Sequence, residues 1–375
     1  MLLESKSAIG GLILLFLATL LCGCQTPGGE TSQPSPLATV PNDAPDYGRI
    51  LTPARDSILH IGDSLWVTVA PIDDGFDSVS ITLSSRPLTQ CTTSSKIGIA
   101  SDNFPTGVHW LQATFWHNGE MSIEIRRIKI YAASAPKDYT YIVEKEYPHD
   151  AGAYTQGLVY RDGFLYESTG QRGESRLRKV ELATGNVLQE HSLADTYFGE
   201  GLEYLNGRFY QLTWTSHLGF VYDAQTFDSV GSFAYNSQGW GLTTDGQSFY
   251  LSDGSENLYV LDTATWQVRR VLQVYTESEP LYRLNELEWV DGRIYANIYT
   301  TDKIAIIDPH SGVVEGLIHC EGLLRPSATG SRAEVLNGIA YDPAGKKLYL
   351  TGKYWPYLYR VKVKPDDNRG GRGLR

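Results

Sequence analysis

Glu200 is the residue of this sequence best suited to move a proton within a small site. It lies in the segment 198–202 (FGEGL), where a glycine flanks it on each side. A carboxyl group among aromatic side chains has a raised pKa, and it can then accept and return a proton near neutral pH. We therefore predict that Glu200 is the acid/base of a pocket, with its glycines leaving room for a backbone beside a substrate.

Further candidates lie at the starts of segments similar to 198–202, or in the loops on the same face, and we expect them to surround Glu200. They are Tyr154, Gln156, Phe198, Trp214, Trp240, Asn285, Tyr299 and Lys353. An apolar box with few polar groups is the usual anatomy of a small-molecule site. Each candidate also has a structural interpretation: the tryptophans could be core, Lys353 a solvated loop residue, and Glu200 an exposed charge at a strand end.

A five-fold repeat positions these candidates. Similar openings begin at residues 156, 200, 240, 285 and 337, and each leads into a turn, a Tyr-rich strand and two further strands. Four antiparallel strands at intervals of roughly 40–50 residues are typical of one blade of a β-propeller. The fifth unit lacks a fourth strand, which residues 139–147 can supply, so that the ring has no free edge. We predict a five-bladed β-propeller over residues 139–363; the alternative is a second, irregular β-sandwich.

Residues 47–135 form a separate region of short strands with alternating apolar residues. Even spacing of the turn residues favours a small immunoglobulin-like β-sandwich, expected to space or present the propeller. The segment 104–111 resembles the last hairpin of bacterial immunoglobulin-like surface domains. The polar, glycine-rich tail 364–375 is predicted to be frayed.

The N-terminus reads as an export signal. The apolar run 9–21 is too short for a stable transmembrane helix. It ends in LCGC at 21–24, which resembles a bacterial lipobox. We predict a signal peptide at 1–23, lipidation of Cys24 and a disordered tether at 24–46. Gln25 is not the Asp that favours inner-membrane retention, so the expected location is the outer membrane; the alternative is an ordinary signal with incidental cysteines.

Composition limits the partners of this 375-residue chain. A net charge of −11 without a basic stripe argues against nucleic acid. Cys91 and Cys320 are interpreted as isolated thiols, although a disulfide between them stays open, and no cysteine or histidine cluster has metal-binding spacing. We expect a monomer.

Five motifs resemble the plant and bacterial type of glutaminyl-peptide cyclotransferase. They are YTQGL at 154–158, FGEGL at 198–202, GWGL at 239–242, LNELE at 284–288 and TGKYWP at 351–356. The resemblance spans residues 139–363. It implies a five-bladed propeller that cyclises N-terminal glutaminyl residues of peptides to pyroglutamate and releases ammonia. It also implies catalysis without zinc; whether the fold binds a structural calcium ion stays open.

The resemblance also implies roles for particular residues. Glu200 matches the family's catalytic residue, and the pocket-lining matches are Gln156, Trp214, Trp240, Asn285 and Lys353. Tyr154 stands where Phe is usual and Tyr299 where Trp is usual, which concerns rate or substrate preference more than the reaction.

The reaction itself sets requirements that these residue types meet. The α-amine must lose a proton, the leaving nitrogen must gain one, and the oxyanion needs donors such as Asn285, Gln156 or Lys353. A charged Lys353 near Glu200 would lower the pKa of that carboxyl group.

Two other functions are compatible with a propeller. One is a non-catalytic surface protein that binds peptides or glycans. The other is a metal-dependent lactonase-type enzyme, for which Glu200 and Asn285 alone are too few ligands.

Overall fold

The structure is a computed structural model that describes residues 46–72, 75–92, 96–325 and 332–369. The predicted signal peptide, Cys24 and nearly all of the predicted tether lie outside these residues. Within them, every element is a strand except one short 3₁₀ turn, Ser101–Asn103. No helix in this part of the chain is both long and apolar enough to cross a membrane.

The N-terminal region consists of two sheets that share one core. Its strands are β1 (Gly48–Thr52), β2 (Ser57–His60), β3 (Ser64–Pro71), β4 (Ser78–Leu83), β5 (Arg86–Cys91), β6 (Lys96–Ala100), β7 (Gly107–His117) and β8 (Glu120–Tyr131). The sheet orders are β1-β3-β6 and β2-β8-β7-β4-β5. Alternate residues point inward, so that Leu65 and Val67 of one sheet are buried in the same cluster as Leu111 and Phe115 of the other. The immunoglobulin-like topology stays a prediction.

The remaining strands repeat one antiparallel pattern. They are β9 (Lys137–Pro148), β10 (Thr155–Arg161), β11 (Phe164–Thr169), β12 (Arg176–Glu181), β13 (Val187–Ser192), β14 (Gly199–Leu205), β15 (Arg208–Thr213), β16 (Leu218–Asp223), β17 (Ser229–Ala234), β18 (Leu242–Thr244), β19 (Ser248–Ser252), β20 (Asn257–Asp262), β21 (Val268–Gln273), β22 (Leu284–Val290), β23 (Arg293–Ile298), β24 (Lys303–Ile307), β25 (Val314–His319), β26 (Leu336–Asp342), β27 (Lys347–Gly352) and β28 (Tyr357–Pro365).

Three sheets have four strands each, β10–β13, β14–β17 and β18–β21. An eight-stranded sheet, β22-β23-β24-β25-β9-β28-β27-β26, joins two more such units through parallel pairing of β25 with β9. The first strands of the units, β10, β14, β18, β22 and β26, contact one another in a closed ring. This is the all-β propeller that the repeat predicted.

The ring closes as the sequence predicted. Strand β9 pairs antiparallel with β28, with Tyr147 opposite Leu358, and supplies the outer strand of the last unit. The pairing continues to Pro365, so the predicted tail begins with strand residues. Beyond the strand, the Arg369 guanidinium contacts the His319 ring at 2.7 Å.

Glycines in the first strands allow neighbouring strands to approach closely. A Cβ atom on Gly201 would lie 2.6 Å from the Leu242 nitrogen, and one on Gly157 would lie 2.4 Å from the Leu202 nitrogen. These contacts are with the backbone of the next blade. A Cβ on Gly199, the other glycine beside Glu200, would lie 2.7 Å from the Thr169 carbonyl oxygen. The glycines beside Glu200 thus leave room for the backbone of neighbouring blades; that a substrate lies beside this backbone stays a prediction.

Buried carboxylates bind the free backbone N–H groups of the inner strands. The Glu286 carboxylate accepts hydrogen bonds from the N–H groups of Leu158 (3.2 Å) and Ile339 (2.9 Å), which belong to two other blades. Glu288 accepts one from the Tyr341 N–H at 2.7 Å. A first strand has a sheet partner on one side only, so these acids satisfy donors that would otherwise be buried unpaired. Burial raises the pKa of both carboxyl groups well above the ordinary value.

Candidate active site

A cavity of about 180 Å³ opens where the first strands of the blades begin. It is lined by Tyr154, Gln156, Gln171, Phe198, Glu200, Trp214, Trp240, Asn285, Tyr299 and Lys353. The structure thus brings together every pocket residue predicted from the sequence. Gln171 is an addition that sequence reasoning missed.

The strand register explains why these residues meet. Gln156, Glu200 and Asn285 are each the second residue of a first strand, at the same level of the ring. Another set directly follows the end of a second strand: Trp214, Tyr299 and Lys353. Adjacent antiparallel strands place the start of one beside the end of the other, so both sets face the same opening.

Glu200 is buried, with 4% of its surface exposed, and lines the pocket without a fixed partner. Its carboxyl group makes no hydrogen bond or ion pair with any other residue that the structure describes. Burial raises its pKa well above the ordinary value, and the positive charge of Lys353 partly opposes this shift. The pocket therefore holds a buried carboxyl group that binds a proton more tightly than a solvent-exposed glutamate does. The interpretation of Glu200 as an exposed strand-end charge is wrong.

Lys353 is also buried, with 2% exposure, so its interpretation as a solvated loop residue is wrong. Its Nζ lies 4.5 Å from the ring centroid of Tyr154 and 4.8 Å from that of Tyr299. Both contacts are cation–π interactions, which stabilise the ammonium group. Burial lowers the pKa of Lys353 to about 8, while Glu200 and Glu334 act in the opposite direction. The group is thus cationic below about pH 8.

Aromatic rings form the walls around these two charged groups. Phe198 packs edge-on against Tyr154, with centroids 6.0 Å apart, and against Trp214 at 5.7 Å. Trp240 packs edge-on against Tyr299 at 5.5 Å. Such edge-to-face pairs fix the orientation of the rings as well as burying apolar surface.

Gln238 links the two tryptophans of the pocket. Its Oε1 accepts hydrogen bonds from the indole N–H groups of Trp214 (2.7 Å) and Trp240 (3.0 Å). Gln238 lies two residues before Trp240, in the segment between two blades, and is itself exposed. Nothing in the sequence pattern indicates this contact, because Trp214 comes from another part of the repeat.

Asn337 holds Gln156 in place. Its Nδ2 donates hydrogen bonds to the Gln156 Oε1 (3.1 Å) and to the Thr155 carbonyl oxygen (2.9 Å). The Gln156 amide is thereby oriented with its NH₂ group left to donate elsewhere. Sequence reasoning did not include Asn337 as a site residue, although it opens the fifth repeat at the position that Glu200 holds in the second.

Asn285 contributes an unsatisfied acceptor. Its Oδ1 is buried and has no hydrogen-bond partner. An acceptor left in this state costs free energy, of the order of 1–3 kcal/mol, unless a bound molecule supplies a donor. Asn285 is thus suited to accept an N–H from a ligand in the pocket.

No metal-binding arrangement occurs in the described part of the chain. Among the described residues, no three His, Cys, Asp or Glu side chains lie close enough together to hold a metal ion. Cys91 and Cys320 are both free thiols, as their isolated positions predicted, and do not form the disulfide that the sequence left open.

Comparison with known proteins connects this geometry to a family. The sequence model described as glutamine cyclotransferase matches residues 119–363, which include every residue of the pocket. The chain belongs to the glutamine cyclotransferase family. The match begins one residue before β8, ahead of the first propeller strand, and so extends beyond the segment that carries the five motifs.

Two relatives agree with this family assignment. The chain is 40% identical over 235 residues to a protein of Arabidopsis thaliana named glutaminyl-peptide cyclotransferase, covering 61% of this chain and 73% of the relative. It is also similar to the crystal structure of Myxococcus xanthus glutaminyl cyclase, with 33% identity and a TM-score of 0.58. That match covers 62% of this chain and 100% of the other. The resemblance seen in the five motifs is confirmed.

Proposed function

We propose that this chain is a glutaminyl-peptide cyclotransferase, an enzyme that converts N-terminal glutaminyl residues to pyroglutamate. In this reaction the α-amine nitrogen bonds to the side-chain carboxamide carbon, the carbon–nitrogen bond of that amide breaks, and ammonia leaves. The single observation that carries the proposal is the buried, unpaired Glu200 in the aromatic pocket of a chain that belongs to this family.

Glu200 acts as the acid/base of the reaction. Its ionised carboxylate takes a proton from the α-amine as that nitrogen attacks, and the carboxyl group then delivers the proton to the departing nitrogen. One group can perform both transfers because the two nitrogens are bonded to the same carbon in the tetrahedral intermediate. The raised pKa of Glu200 suits this exchange, since a stronger acid would retain too little affinity for the proton.

The polar neighbours stabilise the developing charges. The NH₂ group of Gln156, oriented by Asn337, and the ammonium of Lys353 are the donors for the oxyanion; each such donor contributes about 3 kcal/mol in comparable sites. Asn285 accepts an N–H from the substrate with its free Oδ1. This assignment differs from the sequence-based expectation that Asn285 is an oxyanion donor.

The walls hold the glutaminyl side chain in a ring-like conformation. Pockets for drug-sized ligands are about 300–1,000 Å³, so a cavity of about 180 Å³ suits one residue, with the remaining peptide outside. Trp214 and Trp240, fixed by Gln238, restrict that residue and bring the amine close to the amide carbon. Orientation of this kind lowers the barrier by removing the entropy cost of ring closure.

The tests of this activity are direct. Purified protein incubated with a Gln-peptide should release ammonia, measured with a coupled assay, and the peptide should lose the corresponding mass. A matched peptide with N-terminal Asn is the control, because closing its smaller ring is strained. The proposal includes catalysis without a metal, so the rate should be unchanged by a chelator; strong inhibition would favour the lactonase-type alternative. Peptide binding without ammonia release would favour the non-catalytic alternative.

The cellular placement is proposed from the N-terminal sequence. The apolar run 9–21 followed by LCGC at 21–24 supports export and lipidation of Cys24. The acyl chains would hold a monomeric enzyme at the outer membrane, with the sandwich domain as a spacer, and its substrates would be exported peptides or proteins. Membrane fractionation of Cys24→Ser tests this: the variant should leave the membrane fraction, and retention there would refute the anchor.

A further inference from the structure

A second cavity, of about 220 Å³, adjoins the catalytic pocket. Tyr154 lines both cavities. Gly170 lines the second cavity and the next residue, Gln171, lines the first. The two cavities are therefore neighbours that share Tyr154 and the start of the loop after β11.

Close packing holds Tyr154 and this loop together. The Gly170 N–H donates to the Tyr154 carbonyl oxygen at 2.8 Å. A Cβ on Gly170 would lie 2.5 Å from the Phe198 ring and 2.9 Å from the Tyr154 ring. The loop after β11 is thus packed directly against the aromatic rings of the catalytic pocket.

The second cavity differs from the first in charge. Arg176 and Arg178 both line it. The half-buried Arg176 donates only to backbone carbonyls, including that of Ser175 at 3.1 Å, and has no carboxylate partner among the described residues. Arg178 binds Asp150 at 2.7 Å through Nη1, and its buried Nε, which has no hydrogen-bond partner, lies 4.0 Å from the Glu190 carboxylate. Arg176 therefore retains donor capacity here, whereas the charge of Arg178 is offset by Asp150 and Glu190.

Glu174 also lines the cavity, and it is exposed. It forms no ion pair with either arginine in the described structure. Together with the Asp150 partner of Arg178, it limits the positive charge of the cavity. A bound group must therefore match the planar fork of a guanidinium, as a carboxylate does, and not merely carry negative charge.

We propose that this cavity is a subsite for a carboxylate of the peptide substrate, downstream of the N-terminal glutaminyl residue. The proposal rests on the proposed function. An extended peptide advances by at most about 3.6 Å per residue, so the second to fourth residues can pass Tyr154 once the first fills the pocket. The carboxylate can come from an Asp or Glu side chain or from the C-terminus of a short peptide.

The test compares kcat/KM for C-terminally amidated Gln-tetrapeptides that carry Asp at position 2, 3 or 4 with their Asn counterparts. A parallel set with free C-termini separates the terminal carboxylate from a side-chain one. The wild type should prefer Asp at one position by about fivefold, the size of a partly exposed ion pair. Arg176→Gln should bring this ratio close to one, and Arg176→Lys, which keeps the charge without the fork, should give an intermediate ratio.

Arg172→Gln is the matched control. Arg172 is exposed, lies on the loop that leads into Arg176, and donates to the Thr196 carbonyl oxygen. It lines neither cavity, so Arg172→Gln should keep both the rate and the preference. The subsite is overturned if the wild type gives equal rates for the Asp and Asn peptides and gains nothing from a free C-terminus. It is also overturned by a carboxylate preference that survives Arg176→Gln. If the Gln-peptides that carry Asn at position 2, 3 or 4 are still cyclised in those experiments, the proposed function holds. Failure to cyclise any Gln-peptide overturns both proposals.

Discussion

Lys353→Met should move the pH dependence of cyclisation. Lys353 is buried beside Glu200, and its positive charge lowers the pKa of that carboxyl group. Removing the charge leaves burial as the main influence, so the Glu200 pKa rises. Because Glu200 must be ionised to take the proton, activity on the acidic side should then appear only at higher pH.

The size of the shift follows from the separation of the two groups. Two charges 4 Å apart interact by about 4 kcal/mol at an effective dielectric constant near 20. Glu200 and Lys353 form no salt bridge, so they lie farther apart than this. Their interaction is therefore weaker than about 4 kcal/mol, and we expect the acidic limb to move to higher pH by less than about 3 pH units.

The assay is the pH profile of kcat and kcat/KM for one Gln-peptide, measured with wild type, Lys353→Met and Lys353→Arg. The arginine variant keeps the charge and should keep most of the acidic limb. Titration of the substrate's own α-amine contributes equally to the kcat/KM profiles of all three enzymes, so it cannot produce a difference. An acidic limb that stays in place in Lys353→Met, or moves to lower pH, would refute the coupling.

Three further variants test other parts of the account by steady-state kinetics and thermal unfolding. Gln238→Ala removes the acceptor shared by both pocket tryptophans and should raise KM about fivefold, and Gln238→Glu should restore it. An unchanged KM would show that Gln238 is not needed to hold the two tryptophans. Asn337→Ala frees the Gln156 amide and should lower kcat about tenfold; a loss confined to KM would argue against an oxyanion role. Gly201→Ala places a Cβ against the Leu242 nitrogen and should lower the melting temperature by several degrees; an unchanged melting temperature would contradict the packing argument.

Most of the pocket residues could be predicted from the repeat in the sequence. Once five openings share one strand register, residues at the same step, such as Gln156, Glu200 and Asn285, must face one end of the ring. The closing strand followed from the same reasoning, because an incomplete last unit requires a partner from the other end.

Contacts between blades could not be predicted in this way. The Gln238 side chain accepts hydrogen bonds from Trp214 of the second repeat and Trp240 of the third, and Asn337 of the fifth repeat donates to Gln156 of the first. The distances between these repeats depend on how the ring closes. The burial of Lys353 has the same cause. Sequence spacing gives the level of each residue on its strand but not the side chains that meet it from neighbouring blades.

The attachment of the sandwich domain also lacked a sequence signal. Tyr131 packs edge-on against Tyr275 with centroids 5.2 Å apart, and the Thr106 hydroxyl donates to the Gln273 carbonyl oxygen at 2.7 Å. These residues lie in turns and strand ends whose pattern is fully explained within each domain. Their pairing depends on tertiary structure alone.

Glu200→Gln tests the central claim most directly. The amide has nearly the same shape but cannot take up the proton, so the variant should melt like the wild type and still bind a Gln-peptide, measured by calorimetry. Its ammonia release from that peptide should fall by at least about a hundredfold, the usual contribution of a general acid/base. Ammonia release at the wild-type rate by the folded variant would contradict the account.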